Sequence, residues 1–277
     1  MDSAYLESLF SVKDKVVALT GGGGILCGAM ARALGRLGAK VVVLDLLADA
    51  AQRVADDVTA QGGEALALRA DVLDQASIEA SLQKALERFG RVDALINGAG
   101  GNKKEATTSP DLSFFDLPPD AFQWVFNLNF MGTLLPTQIY GNAMADQGEG
   151  VILNIASVNV FRPLTKIPAY STAKAAVKNL TEWLAVHLAQ NYSPKIRVNA
   201  LAPGFFITNQ SRFLLWDAAT NQPTPRGQSV LTHTPMARFG EPDELIAAVV
   251  WLLSPGASFV NGATITIDGG LCAYSGI

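Results

Sequence analysis

A tyrosine and a lysine stand four residues apart in Ala169-Tyr-Ser-Thr-Ala-Lys174, and Ser157 lies thirteen positions before the tyrosine. On a helix the four-residue spacing puts phenol and ammonium on one face. A free phenol titrates near ~10, too high for easy proton exchange at neutral pH. A neighbouring cation favours the phenolate and brings the hydroxyl toward use as an acid or base. Ser157, Tyr170 and Lys174 together predict proton transfer at an oxygen where charge develops, as carbonyl–alcohol redox chemistry requires.

A redox reaction of this kind needs a hydride source, and the N-terminal part of the chain offers a place for one. Thr20-Gly-Gly-Gly-Gly-Ile-Leu-Cys-Gly28 follows a strand-like run and leads into a helical pattern from Ala29. Glycines at such a turn let backbone N–H groups approach a pyrophosphate, whose charge the helix N-terminus favours. Gly21, Gly23, Gly24, Ile25 and Leu26 are the residues expected at that contact. Asp45 ends the next strand-like run, where its carboxylate can accept both ribose hydroxyls and repel a 2′-phosphate. No Arg or Lys follows it in Leu46-Leu47-Ala48. The expected cofactor is therefore NAD(H).

The elements that must hold these groups alternate between strand and helix. Val16–Leu19, Val41–Leu44, Ala65–Leu68, Leu95–Ile96, Val151–Ile155, Ile196–Leu201 and Thr264–Ile267 are near-continuous apolar runs. Amphipathic stretches separate them, one being Ile78, Leu82, Ala85, Leu86 and Phe89, closed by Gly90. This alternation predicts an α/β fold: a doubly wound, Rossmann-like, seven-stranded parallel sheet with helices on both faces, in a single domain over residues 1–277. Pro136 falls inside a helical pattern from about Asp120 to Ala145, which predicts a kink or a break. Residues 209–235 lose periodicity and read as a long irregular loop of the kind that covers or binds a substrate.

Of the 277 residues 49% are hydrophobic and 17% charged, enough apolar matter for a large core. A net charge of −4 argues against nucleic acid or an anionic membrane surface as a partner. Cys27 and Cys272 lack metal-ligand spacing and suit reduced thiols in a cytoplasmic protein. The expected ligands are thus small molecules, with no metal.

With Asn97-Gly-Ala-Gly100, Asn129, Ser157, Tyr170, Lys174 and Pro203-Gly204 in this order, the chain resembles the short-chain dehydrogenase/reductases from about residue 12 to residue 270. The resemblance implies that Asp71 and Val72 contact adenine, and that Asn97, Gly98 and Ala99 form a turn beside the cofactor. It gives Asn129 a water in the proton relay, Ser157 the substrate carbonyl, and Tyr170 the transferred proton. Lys174 would bind the nicotinamide ribose and lower the tyrosine pKa. Pro203, Gly204, Ile207 and Thr208 would grip the carboxamide. Homotetramers or homodimers are the implied assemblies. The sequence departs from the family's Thr-Gly-x-x-x-Gly-x-Gly at Ile25 and Cys27, which leaves the geometry of that turn open.

For the substrate, Gly101, Asn102, Arg212, Arg226 and His233 are the candidate contacts, with arginine suited to bidentate capture of a carboxylate. The strings Asn209-Gln-Ser-Arg-Phe-Leu-Leu215 and Thr224-Pro-Arg-Gly-Gln228 resemble a subgroup of the family associated with D-mannonate oxidoreductase (fructuronate reductase) activity. The resemblance implies interconversion of D-fructuronate and D-mannonate. A gluconate 5-dehydrogenase or other sugar or polyol dehydrogenase is the alternative within the family, and a non-catalytic NAD-binding regulator the alternative outside enzymes.

Overall fold

The computed structural model describes residues 2–208 and 212–276, apart from the side chains of residues 212 and 213. Its strands are β1 (Val16–Thr20), β2 (Lys40–Asp45), β3 (Glu64–Arg69), β4 (Ala94–Asn97), β5 (Gly150–Ile155), β6 (Ile196–Pro203), the short pair β7 (Trp216–Asp217) and β8 (Gln222–Pro223), and β9 (Thr264–Ile267). Its helices are α1 (Ser3–Phe10), α2 (Ile25–Arg36), α3 (Ala48–Ala60), α4 (Gln75–Phe89), α5 (Pro119–Gln147), α6 (Pro168–Asn191), α7 (Arg212–Leu215), α8 (Pro225–His233) and α9 (Ile246–Leu253). No described helix is long and apolar enough to cross a membrane.

Seven strands form one parallel sheet in the order β3-β2-β1-β4-β5-β6-β9. All seven apolar runs are strands, because a parallel strand covered on both sides needs no polar alternation. Successive residues feed opposite faces. Val17, Leu19, Val41 and Val43 join the core under α2, α3 and α9, whereas Val16, Ala18, Val42 and Leu44 join the one under α4, α5 and α6. The chain winds one way from β1 to β3 and the other way from β4 onward. That reversal opens a crevice at the carboxyl ends of β1 and β4, where ligands bind in such sheets.

A buried polar chain crosses one helical layer. Asn97 Nδ2 donates to Thr137 Oγ1 and to Asn154 Oδ1, and Asn154 Nδ2 donates to Thr181 Oγ1, each at 2.9 Å. It ties β4 and β5 to α5 and α6. His187, on the far side of α6, is part-exposed and stacks on Trp183 at 4.4 Å.

Two expectations need correcting. α5 runs unbroken through Pro136. A proline removes one main-chain donor and crowds the carbonyl four residues back, but the rest of a long helix packed on α6 and β5 holds it in place. Residues 212–233 are also more regular than predicted, forming α7, the β7–β8 hairpin and α8. Thr224 caps α8 by accepting from Gly227 N at 3.0 Å, Pro225 fills its first turn, and Asn221 takes φ 52° at the hairpin. Residues 209–211 of the expected loop lie outside the described residues.

Candidate active site

Ser157 follows β5, and its hydroxyl accepts from Asn159 N at 3.3 Å in a single 3₁₀ turn. Tyr170 and Lys174 occupy the first turns of α6, whose entry is fixed by Pro168. Lys174 is 4% exposed; its Nζ donates to Ile155 O at 2.7 Å and lies 5.7 Å from the centre of the Tyr170 ring. Burial lowers the Lys174 pKa to about 8, with Cys27 opposing.

Burial raises the Tyr170 phenol, and a hydrogen bond with Ser157 opposes that rise. Lys174 is not among the groups that shift it, and its Nζ stands 5.7 Å from the centre of the ring.

The Asn129 Nδ2 donates to Gly101 O at 2.6 Å and to Val125 O at 2.8 Å, while its Oδ1 accepts from Gly101 N at 3.2 Å. The side chain thus clamps the Gly100–Gly101 turn onto α5, and what it can still offer a ligand or water is an acceptor.

At the other side of the crevice, Gly21 turns the chain at φ 64° and Gly24 N closes the turn on Gly21 O at 3.0 Å. Gly24 precedes α2, so Ile25 opens the helix instead of lining its tightest approach. Asp45 accepts from Gly23 N at 3.0 Å and from Leu47 N at 2.9 Å, which holds its carboxylate beside the turn. Thr20 Oγ1 accepts from Gly98 N and Ala99 N at 3.1 and 3.2 Å, pinning the second turn to the first. The Thr20 role went unrecognised in the sequence, although a hydroxyl residue ending the first strand was there to be read.

Cys27 solves the missing glycine by exchange. A Cβ on Gly98 would stand 2.0 Å from Cys27 Sγ and 3.0 Å from Thr20 O, so the thiol occupies space that Gly98 leaves empty. Gly98→Ala is expected to cost about 1–3 kcal/mol by overpacking, and adding Cys27→Gly should recover most of that loss. Chemical denaturation of both variants checks it: equal stability of the single and double variants would refute the exchange.

Leu26, Gly98, Gly101, Asn102, Asn129, Ser157, Tyr170, Lys174, Pro203, Gly204, Thr208 and Arg226 converge on one cavity of about 240 Å³. Leu164, Ile167, Phe205, Leu214 and Leu215 complete its wall and were not anticipated; they are apolar residues in segments without periodicity.

Other expected residues lie elsewhere. Asn97 turns its side chain into the polar chain between α5 and α6. Val72 is buried, with its methyl where a Cβ on Gly132 of α5 would be. Asp71 accepts from Leu73 N at 2.9 Å just after β3. Ile207 is half-buried outside the cavity wall. His233 faces a neighbouring cleft, with Nδ1 2.7 Å from Ser229 O. The Arg212 side chain is outside the described residues.

A family model described as enoyl-(acyl carrier protein) reductase matches residues 25–272. An uncharacterized oxidoreductase of Bacillus subtilis, UxuB, is 44% identical over 96% of this chain and 98% of its own. The chain belongs to the short-chain dehydrogenase/reductase family. This dehydrogenase/reductase also superposes, with a TM-score of 0.90 and 43% identity, on a Haemophilus influenzae structure with NAD bound, provisionally described as a D-mannonate oxidoreductase. That likeness covers 98% of this chain and all of the other. Escherichia coli 5-keto-D-gluconate 5-reductase is 30% identical over 96% of the chain and 98% of that protein. As a short-chain dehydrogenase/reductase, the protein is an oxidoreductase acting at CH–OH groups.

Proposed function

We propose that this enzyme interconverts a keto-sugar acid and its hydroxy acid with NAD(H), D-fructuronate and D-mannonate being the leading pair. The observation that carries the reading is the Ser157–Tyr170–Lys174 set opening on a cavity that a half-buried guanidinium, Arg226, also reaches. The Haemophilus influenzae relative supports both substrate and cofactor.

The residues fit a dinucleotide. Gly23, Gly24 and Ile25 line an open cleft at the start of α2. The two Asp45 oxygens each use one acceptor site on the backbone and keep others for ribose hydroxyls. When bound, nicotinamide supplies or takes the hydride. Ser157 donates to the substrate oxygen, and the Tyr170 hydroxyl delivers a proton to it during reduction or removes one during oxidation. Lys174 steadies the phenol from beneath the ring.

A fixed carboxylate at Asp45 opposes a 2′-phosphate by like charge, which costs several kcal/mol. The wild type should prefer NADH over NADPH in kcat/KM by about 10²-fold or more, and Asp45→Ala should erase most of that ratio. A wild type indifferent to the two cofactors would sink the assignment. The similarity to the Escherichia coli enzyme favours a 5-ketogluconate as the second candidate within the same class. NADH oxidation on a panel of keto-sugar acids and matching neutral ketoses tests the substrate: turnover of the neutral compounds alone would overturn it.

A further inference from the structure

Beside the catalytic cavity lies a larger cleft of about 670 Å³, bounded by the loop 162–166, by α8 and by the chain end at 271–276. Val158, Leu164, Phe205 and Arg226 line both spaces, so the two adjoin. The outer cleft is cationic. Arg162, Lys166, Arg226 and His233 face it, and no aspartate or glutamate does, in a protein whose net charge is −4. Asp268, just before the 271–276 wall in sequence, is spent on backbone: its two oxygens accept from Gly270 N at 2.9 Å and Cys272 N at 2.7 Å.

Arg226 stands at the junction. It is the second residue of α8, half-buried, and among the described residues it forms no ion pair. Burial lowers its pKa with no acid opposing. A partly desolvated guanidinium without a partner is costly unless a ligand supplies the anion. Arg162 is placed differently, its Nη1 donating to Tyr274 O at 2.6 Å, which holds the chain end as the cleft's outer wall.

Asn102 lines the inner cavity, its side chain held by Nδ2 donating to Thr107 Oγ1 at 2.9 Å while that hydroxyl donates to Lys103 O.

We propose that the substrate is read at two separated points: its reacting portion in the inner cavity at Ser157 and Tyr170, and its carboxylate in the outer cleft on Arg226. The inference rests on the sugar-acid reading and refines it. The carboxylate lies remote from the reacting carbon, in the direction of the cationic cleft, and not beside Ser157. Compounds whose carboxylate adjoins the carbonyl, such as short 2-keto acids, then miss Arg226.

The test compares kcat/KM for D-mannonate or D-gluconate, whichever the wild type oxidises, with that for the matching neutral alditol. Arg226→Gln should lower the acid-over-alditol ratio by roughly 30-fold or more, mainly through KM. Arg226→Lys should recover part of the ratio, since it keeps the charge and loses the fork. Thermal unfolding and NADH binding verify that each variant is folded. If the wild type oxidises sugar acids but the ratio survives in Arg226→Gln, the anionic subsite is wrong and the sugar-acid reading stands. If the wild type oxidises only alditols, both fall.

Discussion

Tyr170→Phe is expected to lower kcat by about 10²–10⁴-fold while leaving NADH affinity within a small factor. The phenylalanine ring keeps its place above Lys174 Nζ, so what disappears is one hydroxyl that moves a proton. Fluorescence titration of NADH alongside steady-state kinetics separates the two quantities. A variant that still turned over at the wild-type rate would remove Tyr170 from the chemistry. The direction of the pKa adds a pH signature. Burial holds the phenol protonated well into the alkaline range, so reduction should be level across neutral pH. Oxidation, which needs the phenolate as base, should climb as pH rises toward that raised value.

Lys174→Met is expected to abolish most activity and yet stabilise the fold. The lysine pKa falls from 10.5 to about 8 on folding. Between those values the unfolded chain binds the proton that the folded chain has lost, so native stability rises with pH through that window. Below pH 8 the full cost of keeping a buried ammonium is present, about 3 kcal/mol at 1.36 kcal/mol per pKa unit. Methionine escapes that cost but leaves Ile155 O without its donor, a loss of about 1 kcal/mol. A net gain of about 2 kcal/mol at pH 7 should therefore shrink toward zero by pH 10. Denaturant unfolding of both proteins at the two pH values decides it, and a variant less stable than wild type at pH 7 would refute the argument.

The two expectations also show where the sequence was informative. Val16–Leu19, Val41–Leu44 and Ala65–Leu68, each four apolar residues in succession, left little freedom, and these three and the four less continuous runs all formed strands. That Ser157, Tyr170 and Lys174 would come together was legible because helix periodicity and strand ends fix where their side chains emerge, and all three line one cavity. What was not legible depended on partners distant in sequence. The bond from Lys174 to the Ile155 carbonyl, nineteen residues away, had no sequence signal. Nor did the clamp of the Asn129 amide on Gly101. The segment carrying Arg226 read as irregular, because elements this short bury few side chains and show no period. Its one local signal, a threonine before a proline at Thr224-Pro225, marks a helix start.

The polar chain through Asn97 and Asn154 has a consequence for folding fidelity. β4 and β5 are almost wholly apolar on both faces, so sliding one past the other by a residue would leave the hydrophobic burial nearly unchanged. Asn97 lies directly opposite Asn154 in the native pairing. A slipped pairing would separate those amides and strand them unsatisfied in a dry layer, at about 1–3 kcal/mol for each orphaned group. The two asparagines thus act as a key for strand alignment. Since β4 leads into the Gly98–Gly101 turn and β5 into Ser157, a misaligned sheet would also set the cofactor turn and the catalytic serine at mismatched heights.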